Sequence, residues 1–137
     1  NKGIKVGLEI HGDVLKNGEA AKKIMETINH PAIGINYDTG NCIFYGDSLP
    51  EEDIVHCLPW IIHIHLKDKI GGYKVWNFPT LGEGMVNFKK IFSILKEKQV
   101  DVPTSVEIEY SGSFEHPVTY VDECVKKSYD YLQKVIV

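Results

Sequence analysis

WIIHIHLKDK, residues 60–69, sets two histidines, two lysines and an aspartate behind a run of isoleucines. Side chains alternate faces along a strand, so His63, His65 and Lys67 point one way and Ile62, Ile64 and Leu66 the other. One face then packs apolar groups while the other gathers polar ones. A polar interior face is costly unless its groups find hydrogen-bond partners or a metal. Taken alone, the stretch fits a surface-edge strand with two ordinary histidines equally well. His63 reads as a satisfied core histidine.

Outward from this strand, the same apolar signal recurs at intervals filled by helical patterns. IKVGLEI (4–10) is β-branched and stops at Gly12-Asp13, a turn signal. NGEAAKKIMETIN (17–29) places Ala21, Ile24, Met25 and Ile28 at helical spacing, and Pro31 ends it. AIGINYD (32–38) reads as a second strand closed by TGN. SLPEEDIVHCL (48–58) opens a helix with Ser48 as N-cap, Pro50 in the first turn and acids behind it. NFKKIFSILKEKQ (87–99) carries Phe88, Ile91, Phe92 and Leu95 on one stripe. PTSVEIEY (103–110) is the fourth strand, and an amphipathic helix from Pro117 to Ile136 closes the chain.

The order β-α-β-α-β-α-β-α argues for parallel strands, expected near 4–10, 33–37, 61–66 and 104–109, with helices packed on one face. Four units are too few to close an eight-stranded barrel, which needs roughly 250 residues. The chain is therefore a small open α/β sheet or half of a barrel. Its 137 residues, 43% hydrophobic, suffice for a single domain, 1–137, with one core. A net charge of -4, with both signs interspersed, offers no basic surface to nucleic acid or to an acidic membrane. No apolar stretch approaches a membrane span. Cys42, Cys57 and Cys124 form no C-x-x-C pair, and an odd count suits a reducing cytoplasm. The opening NKGIKVGLEI enters a strand with neither initiator methionine nor leader, so the chain reads as the middle of a longer protein.

Polar residues collect at the strand ends. Glu9 and His11 end the first strand, Asp38 the second and His65 the third, while Glu107 and Glu109 lie on the fourth. In parallel α/β folds the carboxyl ends of strands carry ligand and catalytic groups. Two glutamates, an aspartate and a histidine form an oxygen and nitrogen set suited to Mn, Co, Mg or Zn. Each residue has a plainer role available: strand-end carboxylates in water, an Asx-turn at Asp38, a solvated Lys67-Asp68 pair. All of those holding at once is far less probable than any one. The glycines of LGEG (81–84) lack the spacing of a phosphate loop. The loop from Lys67 to Asn87 is long enough to be functional.

These motifs resemble the xylose-isomerase-like barrels, among them sugar-phosphate isomerases and epimerases. LEIHG matches the family's strand five, DTGN its strand six with Asn41 in place of the usual histidine, and HIHLKD its strand seven. LGEG follows in the next loop and SVEIE matches strand eight. The resemblance covers essentially the whole chain and implies the C-terminal half, strands five to eight, of a (β/α)8 TIM barrel. It implies that Glu9, Asp38, His65 and Glu107 ligate one divalent ion (Mn, Mg, Co or Zn), with Glu9 and Glu107 as acid and base. The implied reaction isomerises or epimerises a sugar, sugar phosphate or keto-polyol through a cis-enediol. His11, Asn41, Lys67 and Glu83 would touch the sugar.

The family's three-zinc endonucleases need a histidine at Asn41 and an Asp-x-His pair after strand seven, and neither stands here. A dehydratase acting on a polyol would keep the same metal site. A non-catalytic metal-binding half-barrel is the rival of a different class. The sheet edges of a half-barrel need the rest of the barrel or a second copy to cover them.

Overall fold

Four apolar stretches become β1 (Val6–Glu9), β2 (Ile33–Asp38), β3 (Ile61–Leu66) and β4 (Thr104–Val106) in a computed structural model that describes residues 2–109 and 116–136. They lie side by side in chain order and every neighbouring pair is parallel. Parallel neighbours require crossovers. These run through α1 (Gly18–Ile28), then α2 (Asn41–Gly46) with α3 (Pro50–Asp53), then α4 (Phe88–Glu97), and α5 (Val118–Val135) follows β4.

The two long crossover helices start where their caps dictate. The Asn17 side chain accepts from the Ala20 N–H to open α1, and Asn87 accepts from Lys90 to open α4. Left-handed Asn29, at φ 42°, stops α1. Ala21 and Met25 of α1, Phe88, Ile91 and Leu95 of α4 and Leu132 of α5 pack on Ile35, Tyr37, Ile61, Ile64 and Leu66 in one apolar core. The helices thus cover a single face of the sheet. The opposite face carries Glu9, Asn36, Asp38, His63 and His65.

The structure corrects the sequence reading in four places. β1 starts at Val6 and not Ile4, and β4 ends at Val106 although the Glu107 N–H still reaches Leu66 O at 3.0 Å. Beyond Leu66 β3 turns into its loop, so Ile108 and Glu109 have no strand to pair with; Tyr110 lies outside the described residues. The second crossover begins earlier than expected, with α2 directly after Asp38-Thr39-Gly40. Its later part is one short α-turn and two 3-10 turns, because Pro50 and Pro59 interrupt the pattern. Ser48 is not a cap: Leu49 holds that position, and the Ser48 hydroxyl accepts from Asn17 and donates to Gly46 O. Finally, Ile35 pairs with Ile61 but Asn36 pairs with His63, so β3 has one extra residue. That extra residue is Ile62, which lies over Gly34 on the polar face, outside the core.

Candidate metal centre

Parallel packing brings the carboxyl ends of the strands together, and their last residues carry the chemistry. Asp38 and His65 are register partners across β2 and β3. Glu9 ends β1, and Glu107 follows β4 on the other flank of His65. Donor atoms of Glu9, Asp38, His65 and Glu107 all lie within 4.8 Å of one another. His65 Nδ1 is central: 2.8 Å from Glu107 Oε2, 3.2 Å from Glu9 Oε1 and 3.8 Å from Asp38 Oδ2.

Local hydrogen bonds aim each donor. Asp38 Oδ1 accepts from the Gly40 and Asn41 N–H groups at 2.9 and 2.7 Å, at the start of α2, which turns Oδ2 toward the cluster. Glu107 Oε1 accepts from the Lys67 ammonium at 2.9 Å, which leaves Oε2 on the His65 side. His63, the other histidine of β3, has both ring nitrogens engaged, by Asn36 Oδ1 at 2.8 Å and Ser105 Oγ at 2.9 Å. Burial and its neighbour His65 hold it below the ordinary histidine range, and it stands apart from the cluster.

The electrostatics follow from three carboxylates sharing one imidazole. Burial pushes the Asp38 carboxyl above its usual range, against the pull of His65 and Lys67. Burial acts the same way on Glu107, but Lys67, Asp38 and His65 together outweigh it and hold that carboxyl low. Asp38, helped by Glu107 and Glu9 and opposed by burial, pushes His65 up to about 8.

A divalent cation fits this donor set. Asp38 Oδ2 and Glu107 Oε2 are buried, and each lies at ion-pair distance from a cationic side chain, yet neither accepts a properly directed hydrogen bond. Buried lone pairs of that kind are rare unless something else coordinates them. Three carboxylate oxygens and one imidazole nitrogen suit hard or borderline ions.

The other residues singled out in the sequence are spread around the cluster. Asn41 is buried, donating to Ile10 O at 3.0 Å and accepting from Lys67 Nζ at 3.3 Å. His11 is exposed, with Nε2 3.3 Å from the Tyr45 hydroxyl. Glu83 lies outside the cluster, its side chain exposed and 3.9 Å from Lys127 Nζ. It lines a cleft of about 150 Å³ with Phe78, Thr80, Glu109 and Tyr120. Lys67 and Asp68, open to a solvated reading in the sequence, are both buried. Asp68 binds the N–H groups of Gly82, Gly84 and Val86, so those amides of the LGEG loop are already taken. Sequence reasoning noted Glu109 on the fourth strand without giving it a role, and missed Thr39 and Gly40 as parts of the site. The motif spacing flagged their neighbours, and only the packing around Lys67 reveals these three.

Among curated proteins the chain is similar to an inosose dehydratase of Clostridium botulinum (strain Alaska E43 / Type E3), 26% identical over 136 residues. The match takes in 88% of this chain and 45% of that protein, so the chain spans about half the length of the curated relatives it matches. Among solved structures, a xylose isomerase domain protein from Planctomyces limnophilus superposes with a TM-score of 0.78 at 24% identity, over 96% of this chain and 46% of that one. D-psicose 3-epimerase from Clostridium cellulolyticum H10, solved with D-tagatose, gives 0.73 at 14% identity, over 94% and 48%. Both structures share the fold, and each is covered over about half its length, as four βα units of a TIM barrel would be. The model of the xylose isomerase-like TIM barrel family matches residues 1–134, and the chain belongs to that family.

Proposed function

We propose that this chain carries the metal-holding part of an enzyme that removes a proton from the carbon beside a carbonyl of a sugar, sugar phosphate or keto-polyol. The observation that carries the reading is the convergence of Glu9, Asp38, His65 and Glu107 from four successive strand ends, with donor atoms within 4.8 Å. These four residues would hold one divalent ion, Mn, Mg, Co or Zn. When bound, the ion would stabilise negative charge developing on the substrate oxygens.

Glu9 and Glu107 are the proposed acid and base. They come from the two outer strands, so they can reach a substrate carbon from opposite sides. Glu107, held below its ordinary range by Lys67 against burial, is ionised at neutral pH and able to accept a proton. Glu9, partly exposed at the edge of the sheet, is placed to return it. Asp38 has no such freedom, because it is fully buried and tied by two backbone N–H groups. His11 and Glu83 are the proposed sugar contacts, both exposed beside the strand ends.

The step after proton removal decides the reaction class. Return of the proton to the neighbouring carbon gives an isomer, and return to the opposite face gives an epimer, each through a cis-enediol. Departure of a hydroxyl from the next carbon gives a dehydratase, and the likeness to inosose dehydratases favours that second reading. Further barrel units or a second copy would cover the edge at β1, where Ile4 and Val6 are exposed. The three cysteines are free and buried, which accords with a reducing cytoplasm.

The test is to incubate the whole protein with manganese and candidate keto-sugars and keto-inositols in heavy water. Deuterium beside the carbonyl identifies proton transfer, and loss of water by mass identifies dehydration. Glu107→Gln should abolish both. Exchange at the wild-type rate in that variant would overturn the assignment of the base.

A further inference from the structure

The substrate contact that the resemblance implies for Lys67 conflicts with its surroundings. Its side chain is 3% exposed and its Nζ lies 2.8 Å from Glu109 Oε2, 2.9 Å from Glu107 Oε1 and 3.3 Å from Asp38 Oδ2. Asn41 Oδ1 also accepts from it, at 3.3 Å. An ammonium has three N–H groups, and Glu109, Glu107 and Asn41 take all three while Asp38 adds its charge, so none is left for a substrate. The centre of the Phe78 ring lies 5.2 Å from the same nitrogen.

The DTGN stretch is built around this lysine. Thr39 Oγ1 accepts from the Lys67 N–H at 2.9 Å and donates to its carbonyl at 2.7 Å, clamping the backbone from both sides. Gly40 leaves room for the stem: a Cβ there would meet Lys67 Cγ at 2.8 Å and Cδ at 3.0 Å. Asn41 holds the head. Asp38, the remaining residue of the motif, is one of the carboxylates the ammonium compensates. Burial would lower the lysine's pKa, but Asp38, Glu109 and Glu107 outweigh it and keep the amine charged.

We infer that Lys67 is a built-in counter-cation for the carboxylate cluster, a positioning residue that keeps Asp38 and Glu107 assembled with or without metal and makes no contact with substrate. Glu109 completes the device. Among the described residues it is the one carboxylate around Lys67 outside the four-residue donor set, and it draws the ammonium aside from Glu107 and Asp38. The inference rests on the metal-site reading above.

Two variants move metal affinity in opposite directions if this is right. The ammonium and a divalent ion offset the same negative charge, so they compete for it. In Lys67→Met the competitor is gone: manganese should bind roughly tenfold more tightly, because the repulsion between neighbouring cations disappears. Without metal the same variant leaves Asp38, Glu107 and Glu109 without their shared ammonium, and its melting temperature in chelator should fall by about 5 °C or more. In Glu109→Gln the ammonium leans wholly on Asp38 and Glu107, and manganese binding should weaken roughly tenfold.

Calorimetric titration with manganese and thermal unfolding in chelator, on the whole protein, read both effects. Weaker binding in both variants would make Lys67 a packing residue and overturn the inference. Wild-type affinity and wild-type chelated stability in both would return Lys67 to the substrate. Should Lys67→Met not fold in chelator, recovery of folding on adding manganese supports the counter-cation, and Glu109→Gln carries the affinity test. A wild-type protein that takes up no manganese overturns the metal reading instead, and the melting temperature of Lys67→Met still decides the role of the lysine.

Discussion

Replacing Asp68 with asparagine probes how the long loop after β3 is held, and with it the place of Glu83. Asp68 is 1% exposed. Its Oδ1 accepts from the N–H groups of Lys69 at 2.8 Å and Val86 at 3.1 Å, and its Oδ2 from those of Gly82 and Gly84 at 2.9 Å each. Gly84 is pressed against this carboxylate so closely that any side chain there would fall on it. Asparagine keeps the shape but turns one oxygen into a donor, so whichever way the amide sits, two backbone N–H groups face an NH2. Hydrogen bonds to a charged group contribute about 1.5–3 kcal/mol each, giving roughly 3–6 kcal/mol for two. Gly82 is exposed and can recruit water, which favours the lower end, about 3 kcal/mol. With a urea m-value of ~2 kcal/mol/M, the unfolding midpoint should drop by roughly 1.5 M. Amide hydrogen exchange at Gly82, Gly84 and Val86 should accelerate in the same variant. A midpoint within about 0.3 M of wild type, with those amides still protected, would refute the clamp.

Two further outcomes concern the cluster itself. Asp38→Asn keeps an acceptor for the Gly40 and Asn41 N–H groups but removes the charge at Oδ2, so α2 should stay intact while manganese affinity falls by more than the roughly 10–100-fold typical of a lost outer-shell partner. Circular dichroism with calorimetry checks both halves, and an unchanged affinity would remove Asp38 from the ligand set. His65, raised from 6.5 to about 8, stabilises the chelated protein when protonated. Its contribution is therefore fully present below pH 6.5 and lost as pH rises through about 8. His65→Gln should flatten that decline, and manganese affinity, which requires the neutral ring, should climb over the same window. A histidine NMR titration centred near 6.5 in chelator would contradict the coupling.

The four clustered residues were legible from the sequence for a topological reason. In a parallel sheet every strand delivers its last residue to the same rim, so finding four strands and reading their ends locates the site without any knowledge of loops. The long crossovers were legible as well, because their caps and apolar stripes are local. Where the reading failed, the deciding partner was remote. The alternation rule put Ile62 with Ile64, but the register shift against Ile35 and Asn36 turned it to the polar face. No local signal in a strand announces a shift that its neighbour imposes.

Lys67-Asp68 shows the same limit more sharply. Side by side, a lysine and an aspartate after a strand read as a solvated pair, and nothing within ten residues says otherwise. Their burial depends on Asp38 and Asn41 at the start of α2, on Glu107 and Glu109 some forty residues later, and on the amides of Gly82, Gly84 and Val86. Gly40 makes the point in one residue. Its φ of -83° is open to any amino acid, so neither turn chemistry nor backbone strain calls for glycine there. The requirement comes from the Lys67 stem lying across it, where even a methyl group would collide. A glycine demanded by a side chain 27 positions away looks, in sequence, like an ordinary turn.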